Sequence, residues 1–124
     1  MAESYWPENI GESTIVTPLS ILKEQAAALG PATKGLVTAE VQPTPTGNSE
    51  YLAYVFSLLS PTVNYRYQMF TVTHPISLYP VRVNYNNTGY SLSDESHFRD
   101  WLKGTLSSDQ TRKIVAALIA QARL

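Results

Sequence analysis

Apolar residues recur at helical spacing in three segments of the chain. The first segment begins at Thr17-Pro18, because threonine caps a first turn and proline at the first helical position loses no hydrogen bond. It ends at Gly30-Pro31, since glycine allows a left-handed residue and proline opposes continuation of a helix. Two later segments begin at the capping residues Ser93 and Ser107. The spacing therefore predicts three helices, one early and two late in the chain.

Between these helices, the pattern changes to the alternation that is typical of β-strands. Four segments show it, with turn-forming residues between them: 36–41, 51–59, 64–73 and 76–85. Their short connections favour antiparallel neighbours. We therefore predict an α+β fold in which a four-stranded antiparallel β-meander packs against helices, in the order α-β-β-β-β-α-α. Residues 1–16 have no clear period, so we expect an extended N-terminal arm before a single domain at 17–124.

The register of the second and third strands decides which side chains face the helices. A short turn at 60–63 pairs Leu58 with Tyr65, which points Tyr65 and Tyr67 towards the core. Alternate residues then form a second sheet face, and a two-residue turn at His74-Pro75 adds the fourth strand to it. A bulge at Pro80, which cannot donate to the ladder, would change how far this face extends. The residues predicted for the second face are Arg66, Phe70, Tyr79, Val81, Val83 and Tyr85.

This second face is too apolar for a sheet surface in contact with water. We interpret it as an interaction surface for a protein partner, most simply a second copy of the chain in a homodimer. In the alternative interpretation, the N-terminal arm or a helix crosses the face and buries it within the chain. Tyr5, Trp6 and Ile10 are the residues that would hold the arm against the body.

Composition and charge narrow the classes of function. The chain has 124 residues, a net charge of −1 and no cysteine. Nucleic-acid-binding proteins usually have a basic excess, so the charge argues against such a partner, although arginine and aromatic residues on a sheet can stack bases. The lack of cysteine excludes disulfides and cysteine-bound zinc and fits a reducing compartment. Without a long apolar run or a signal-peptide pattern, we expect no membrane partner and a cytoplasmic location.

No segment matches a nucleophile, phosphate-binding or metal-binding motif, and the two histidines, His74 and His97, lack a metal-ligand spacing. We therefore predict no catalytic residue, no metal and no cofactor. The sequence favours a small non-enzymatic protein that acts through protein contacts, as an adaptor, an inhibitor of the immunity type or a subunit. The alternative is a small-molecule-binding or enzymatic domain with a pocket between the sheet and the helices. The residues predicted to line that pocket are Tyr54, Tyr67, His97 and Trp101.

Overall fold

The computed structural model describes residues 3–11 and 13–123. Within them the chain forms three α-helices, five β-strands and a short 3-10 turn at Pro61–Val63. The helices are α1 (Pro18–Ala32), α2 (Glu95–Leu106) and α3 (Asp109–Ala122). The strands are β1 (Thr38–Thr44), β2 (Tyr51–Ser60), β3 (Tyr65–Pro75), β4 (Val81–Tyr85) and β5 (Thr88–Leu92). The predicted arm and domain include four residues that lie outside this description: 1, 2, 12 and 124.

The strands form one antiparallel meander in the order β1-β2-β3-β4-β5. The predicted α+β class, with an antiparallel sheet and three helices, is confirmed, but the predicted number of four strands is wrong. The additional strand β5 follows β4 after a two-residue turn, in which Asn86 and Asn87 have φ values of 52° and 61°. Asparagine tolerates this left-handed conformation, which two-residue hairpins require. The pattern missed β5 because its sequence, TGYSL, has few apolar residues.

A β-bulge in β3 determines which residues of the sheet form the core. Phe56 pairs with Phe70, whereas the next residue of β2, Ser57, pairs with Gln68. Met69 is therefore an extra residue on β3, and it changes the inward and outward alternation of the strand. As a result, Met69 and Phe70 are both buried although they are consecutive.

The predicted register and the predicted second face are consequently wrong. Leu58 pairs with Tyr67 and not with Tyr65. Phe70 is only 3% exposed, and its ring stacks on Phe56 with the centroids 5.0 Å apart. Four more residues of the predicted face belong to the core or pack against it: Tyr79, Val81, Val83 and Tyr85.

Of the predicted face, Arg66 alone lies on the sheet surface away from the helices. The connection before β4 explains part of the difference. β3 continues through Pro75 instead of turning at His74-Pro75, and β4 begins only at Val81, after Pro80. Pro80 therefore belongs to a connection, with a cis bond to Tyr79, and does not form a bulge within a strand.

All three helices cover the same face of the sheet. Helix α1 packs mainly on β1, α3 reaches β2, and α2 reaches β5. Trp101 of α2 joins the helix layer to the middle of the sheet, since its ring meets that of Phe70 edge-on at 5.1 Å between centroids. The fully buried side chains of the helices are Pro18, Ile21, Leu22, Phe98 and Leu102.

The helix ends differ from the predicted positions by one or two residues. Thr17 caps α1 as predicted, in a reciprocal capping box with Ser20, but α1 continues two residues beyond Gly30 to Ala32. The cap of α2 is Asp94 and not Ser93, and the cap of α3 is Ser108 and not Ser107. In both cases the residue next to the predicted cap is also a capping type, which sequence patterns do not distinguish. These shifts leave the packing faces unchanged.

The buried position of Phe70 gives a test of the bulge. Phe70→Ala is expected to lower the free energy of unfolding by about 3–5 kcal/mol, because it removes an aromatic ring from the core. The matched variant Gln68→Ala, on the outward side of the same strand, should change it by less than about 0.5 kcal/mol. Urea unfolding followed by circular dichroism measures both values. Equal small effects would mean that Phe70 lies on an exposed face.

Candidate functional site

The four residues of the predicted pocket are not brought together. Tyr54 is buried in the core beside His74, with the ring centroids 5.9 Å apart. Trp101 packs against Phe70, while Tyr67 is half-buried at the edge of the core. His97 lies exposed in the first turn of α2, where its Nδ1 is 2.8 Å from the Asp94 carboxylate. The predicted pocket is therefore not formed.

A small cavity does lie between the helices and the sheet, with a volume of 220 Å³. Its lining consists of Gln25, Ala28, Leu29, Ala32, Phe56, Leu58, Leu106, Thr111 and Val115. None of these side chains ionises, and the hydroxyl of Thr111 donates to the Thr105 carbonyl at 2.7 Å. Ligand pockets usually measure about 300–1,000 Å³, so this cavity is small as well as chemically inert.

A larger cleft of 420 Å³ opens between α1 and α2. We call it the helix cleft, and its lining is Ile21, Gln25, Arg99, Leu102, Lys103, Leu106 and Ser107. It shares Gln25 and Leu106 with the small cavity, so the two lie next to each other along α1. The floor of the helix cleft is apolar, and its two charged residues, Arg99 and Lys103, are both basic.

The two basic residues of the helix cleft differ in their partners. Arg99 donates to the Glu95 carboxylate at 2.9 Å, and this hydrogen bond raises the pKa of the Arg99 guanidinium. Lys103, one helical turn later, makes no ion pair with any residue in the described part of the chain. The cleft therefore offers one uncompensated positive charge beside apolar side chains.

The N-terminal arm exposes several large apolar side chains. Its described residues, 3–11 and 13–16, contain a turn but no helix or strand. Tyr5 is 94% exposed and Trp6 is 74% exposed, and Ile10, Ile15 and Val16 are exposed as well. The expectation that Tyr5, Trp6 and Ile10 hold the arm against the body is therefore wrong. These side chains are available to another chain.

The sheet surface away from the helices, which we call the outer face, is mostly polar. At one end of it, Arg66 of β3 donates to the Glu40 carboxylate of β1 at 3.1 Å and to the Gln42 side chain at 3.5 Å. These groups meet across β2, where Ser57 is only 2% exposed. Arg66 is thus engaged within the chain, which does not favour its predicted role at an interface.

Three buried polar atoms have no hydrogen-bond partner within the described residues: Ser60 Oγ, His74 Nε2 and Tyr79 OH. His74 lies inside β3 and not in a turn as predicted, and its Nδ1 is 2.7 Å from the Pro75 carbonyl oxygen. Burial and then the nearby Glu95 carboxylate raise the pKa of Tyr79. The three atoms belong to separate elements and do not form a catalytic group.

The described residues contain no group of three or more His, Asp or Glu side chains that is able to hold a metal ion. They also include no helix that is long and apolar enough to cross a membrane. The chain matches no protein-family model, no curated protein and no solved structure. The functional argument therefore depends on the geometry of the chain itself.

Sequence reasoning missed the helix cleft and the exposure of the aromatic side chains in the arm. The signal for the cleft is the pair Arg99 and Lys103, which the spacing i, i+4 places on one side of a helix. The signal for the arm is the adjacent pair Tyr5 and Trp6 in a segment without a helical or strand period. Neither signal shows whether the side chains are buried until the fold is known.

The Asp94 cap gives a pH-dependent test. The backbone N–H of His97 donates to the Asp94 carboxylate at 2.9 Å, and this bond lowers the pKa of Asp94 below its ordinary 3.8. The ionised carboxylate therefore stabilises the fold above that pH, and this stabilisation is lost as the pH falls through the pKa of the folded state. Asp94→Asn keeps a capping side chain but cannot ionise. Urea unfolding between pH 6 and pH 3 should show a smaller loss of stability for Asp94→Asn than for the wild type, and parallel losses would contradict this role of Asp94.

Proposed function

We propose that this chain is a non-enzymatic protein that binds a second copy of itself through the N-terminal arm. In this proposal, the aromatic side chains of one arm occupy the helix cleft of the other copy. The observation that supports it most strongly is the exposure of Tyr5, at 94%, next to Trp6, at 74%. An extended segment with apolar anchors is a common form of peptide recognition by a groove.

The energetic argument concerns the aromatic side chains. Tyrosine and tryptophan each bury about 150–250 Å² when they enter an interface, which makes them frequent anchors. Full burial of a large apolar side chain stabilises an assembly by about 1.5–3 kcal/mol. The arm has two aromatic residues and Ile10, so docking would gain several such contributions. The ordering of the arm opposes this gain.

Charge favours the helix cleft as the acceptor. Residues 1–16 include Glu3, Glu8 and Glu12 but no lysine, arginine or histidine. The helix cleft has Lys103 without an ion pair, beside the apolar Leu102 and Leu106. An acidic segment with apolar anchors is thus complementary to an apolar cleft with a basic rim.

A second copy is favoured over docking within one chain. In the single chain, Tyr5 and Trp6 remain exposed although the cleft of the same chain is open. If each of two copies supplies an arm and a cleft, the exchange closes with two-fold symmetry. Such a dimer is compatible with the predicted roles of adaptor, inhibitor or subunit. The cytoplasmic location stays a prediction, based on the absence of cysteine.

The alternative of a small-molecule or enzymatic pocket has less support. Its predicted residues are separated, and the cavity between helices and sheet has no ionisable side chain in its lining. General acid–base catalysis needs a group that takes up or releases a proton near the substrate. We therefore do not propose an enzymatic function.

Self-association through the arm is tested by light scattering coupled to size-exclusion chromatography over a range of concentrations. The wild type is expected to change from monomer to dimer as the concentration rises. Trp6→Ser should raise the protein concentration at the midpoint of this monomer–dimer transition by at least about tenfold, because it removes an interface anchor. Ile76→Ser, at a site that is 82% exposed outside the arm, is the matched control and should leave the midpoint unchanged.

The acceptor is tested in the same experiment by a charge reversal in the helix cleft. Lys103→Glu should weaken association, whereas Lys113→Glu, an equal change on the exposed side of α3, should not. A strictly monomeric wild type, or a dimer that is insensitive to Trp6→Ser, would overturn the proposal. A dimer that depends on Trp6 but not on Lys103 would support docking through the arm and would exclude the helix cleft as the site where the arm docks.

A further inference from the structure

A group of polar side chains occupies the end of the outer face opposite to the Glu40–Arg66 ion pair. Thr73, Arg82 and Ser91 pair directly across β3, β4 and β5. Thr71, Asn84 and Gly89 form the next row of the same kind, two residues along each strand. Residues two apart on a strand face the same side, so both rows point to the outer face. We call the five side chains the Arg82 cluster: Thr71, Thr73, Arg82, Asn84 and Ser91.

The Arg82 cluster borders an open cavity of 540 Å³. The residues that line it are Thr71, Thr73, Arg82, Val83, Asn84, Asn87, Gly89, Tyr90 and Ser91. One of them is a cation, and none is an acid. Hydroxyl and amide groups make up most of the remaining polar lining.

The side chains of the Arg82 cluster make no hydrogen bond and no ion pair with other described residues. This distinguishes Arg82 from Arg66, the other arginine on the outer face, which is bonded to Glu40 and Gln42. Arg82 therefore keeps all its guanidinium donors available, next to three hydroxyl groups and one amide. The charge of Arg66 is compensated within the chain, whereas that of Arg82 is not.

We propose that the Arg82 cluster binds the phosphate group of a small polar molecule, such as a nucleotide. A guanidinium matches two phosphate oxygens with parallel hydrogen bonds, and no nearby carboxylate competes for it. The hydroxyls of Thr73 and Ser91 lie on either side of Arg82 in the same row and are able to donate to the same phosphate. Thr71 and Asn84 form the second row, about 7 Å away along the strands. At that distance they are able to contact the rest of the ligand, beyond its phosphate group.

The charge of the protein favours a small ligand over a long nucleic-acid strand. The cluster has one free cation and the chain has a net charge of −1. A long nucleic-acid strand is usually held by several phosphate contacts, which this surface does not provide. A phosphate is also present in such a strand, so the experiment has to distinguish a single nucleotide from an oligonucleotide.

Gly89 provides a way to block the cavity without changing charge. A Cβ atom at Gly89 would meet no other atom within 4 Å, and its φ is outside the left-handed region. Because Gly89 pairs with Asn84, that Cβ would point to the outer face, above the second row. Gly89→Val is therefore expected to fold normally and to fill part of the site.

The proposal is tested by two-dimensional ¹H–¹⁵N NMR at constant ionic strength. Adenosine monophosphate is the probe, with inorganic phosphate, phosphate-free adenosine and a short single-stranded oligonucleotide as separate arms. We expect saturable shifts confined to the Arg82 cluster with adenosine monophosphate, weaker shifts at the same residues with phosphate, and none there with adenosine. Arg82→Gln should weaken binding at least about tenfold, since a charged hydrogen bond is lost. Gly89→Val should weaken it too.

The matched control is Arg66→Gln, which removes the same charge from the other end of the outer face and should leave the affinity unchanged. Dispersed amide spectra show that each variant folds. Binding that is equal in Arg82→Gln and Arg66→Gln, shifts located elsewhere, or no saturation would overturn the proposal. An oligonucleotide that binds more tightly than the monophosphate, and loses affinity with Arg82→Gln, would support the site and identify a strand as the phosphate source. Trp6→Ser should bind the probe as the wild type does, so this site is separable from self-association.

Discussion

The extra residue Met69 in β3 is the constraint on which the rest of the structure depends. The bulge lets Phe70 and then Val72 and His74 face the helices, although Arg66 and Gln68 before it face outwards. β4 and β5 take their orientation from β3 through direct pairing, so Val83 points inwards and Arg82 outwards. Without the bulge, the two halves of the sheet would present their apolar residues on opposite faces.

This arrangement separates two surfaces with different chemistry. The helix side buries the apolar inner residues of β2, β3 and β4 and leaves the helix cleft open, with its basic rim. The outer face has two arginines in different states, because Arg66 is compensated by Glu40 while Arg82 is not. The N-terminal arm contributes apolar side chains that the folded body does not cover. The arm is therefore the apolar element that we propose for association, and the Arg82 cluster is the polar surface that we propose for phosphate binding.

Periodicity was sufficient for the helices, for the antiparallel meander and for the inward direction of Tyr54 and Phe56, because these depend on local patterns. It was insufficient for the faces of β3 and β4. A bulge adds one residue without a reliable sequence signal, and it reverses every position that follows. Five residues of the predicted face were misplaced, and all lie beyond the bulge in the chain: Phe70, Tyr79, Val81, Val83 and Tyr85. The prediction of a pocket was wrong for another reason. Trp101 and Tyr54 pack within the core, where aromatic side chains fill space, while His97 remains outside it.

The most direct test of the account is the cross-strand register of β2 and β3, measured by nuclear Overhauser effects in the isolated protein. The account predicts backbone contacts between Leu58 and Tyr67, and ring contacts between Phe70 and Trp101, whose centroids are 5.1 Å apart. Contacts between Leu58 and Tyr65, with no contact from Phe70 to Trp101, would contradict the bulge. In that case the apolar residues of β4 would lose their place under the helices, and Arg82 would lose its place on the outer face.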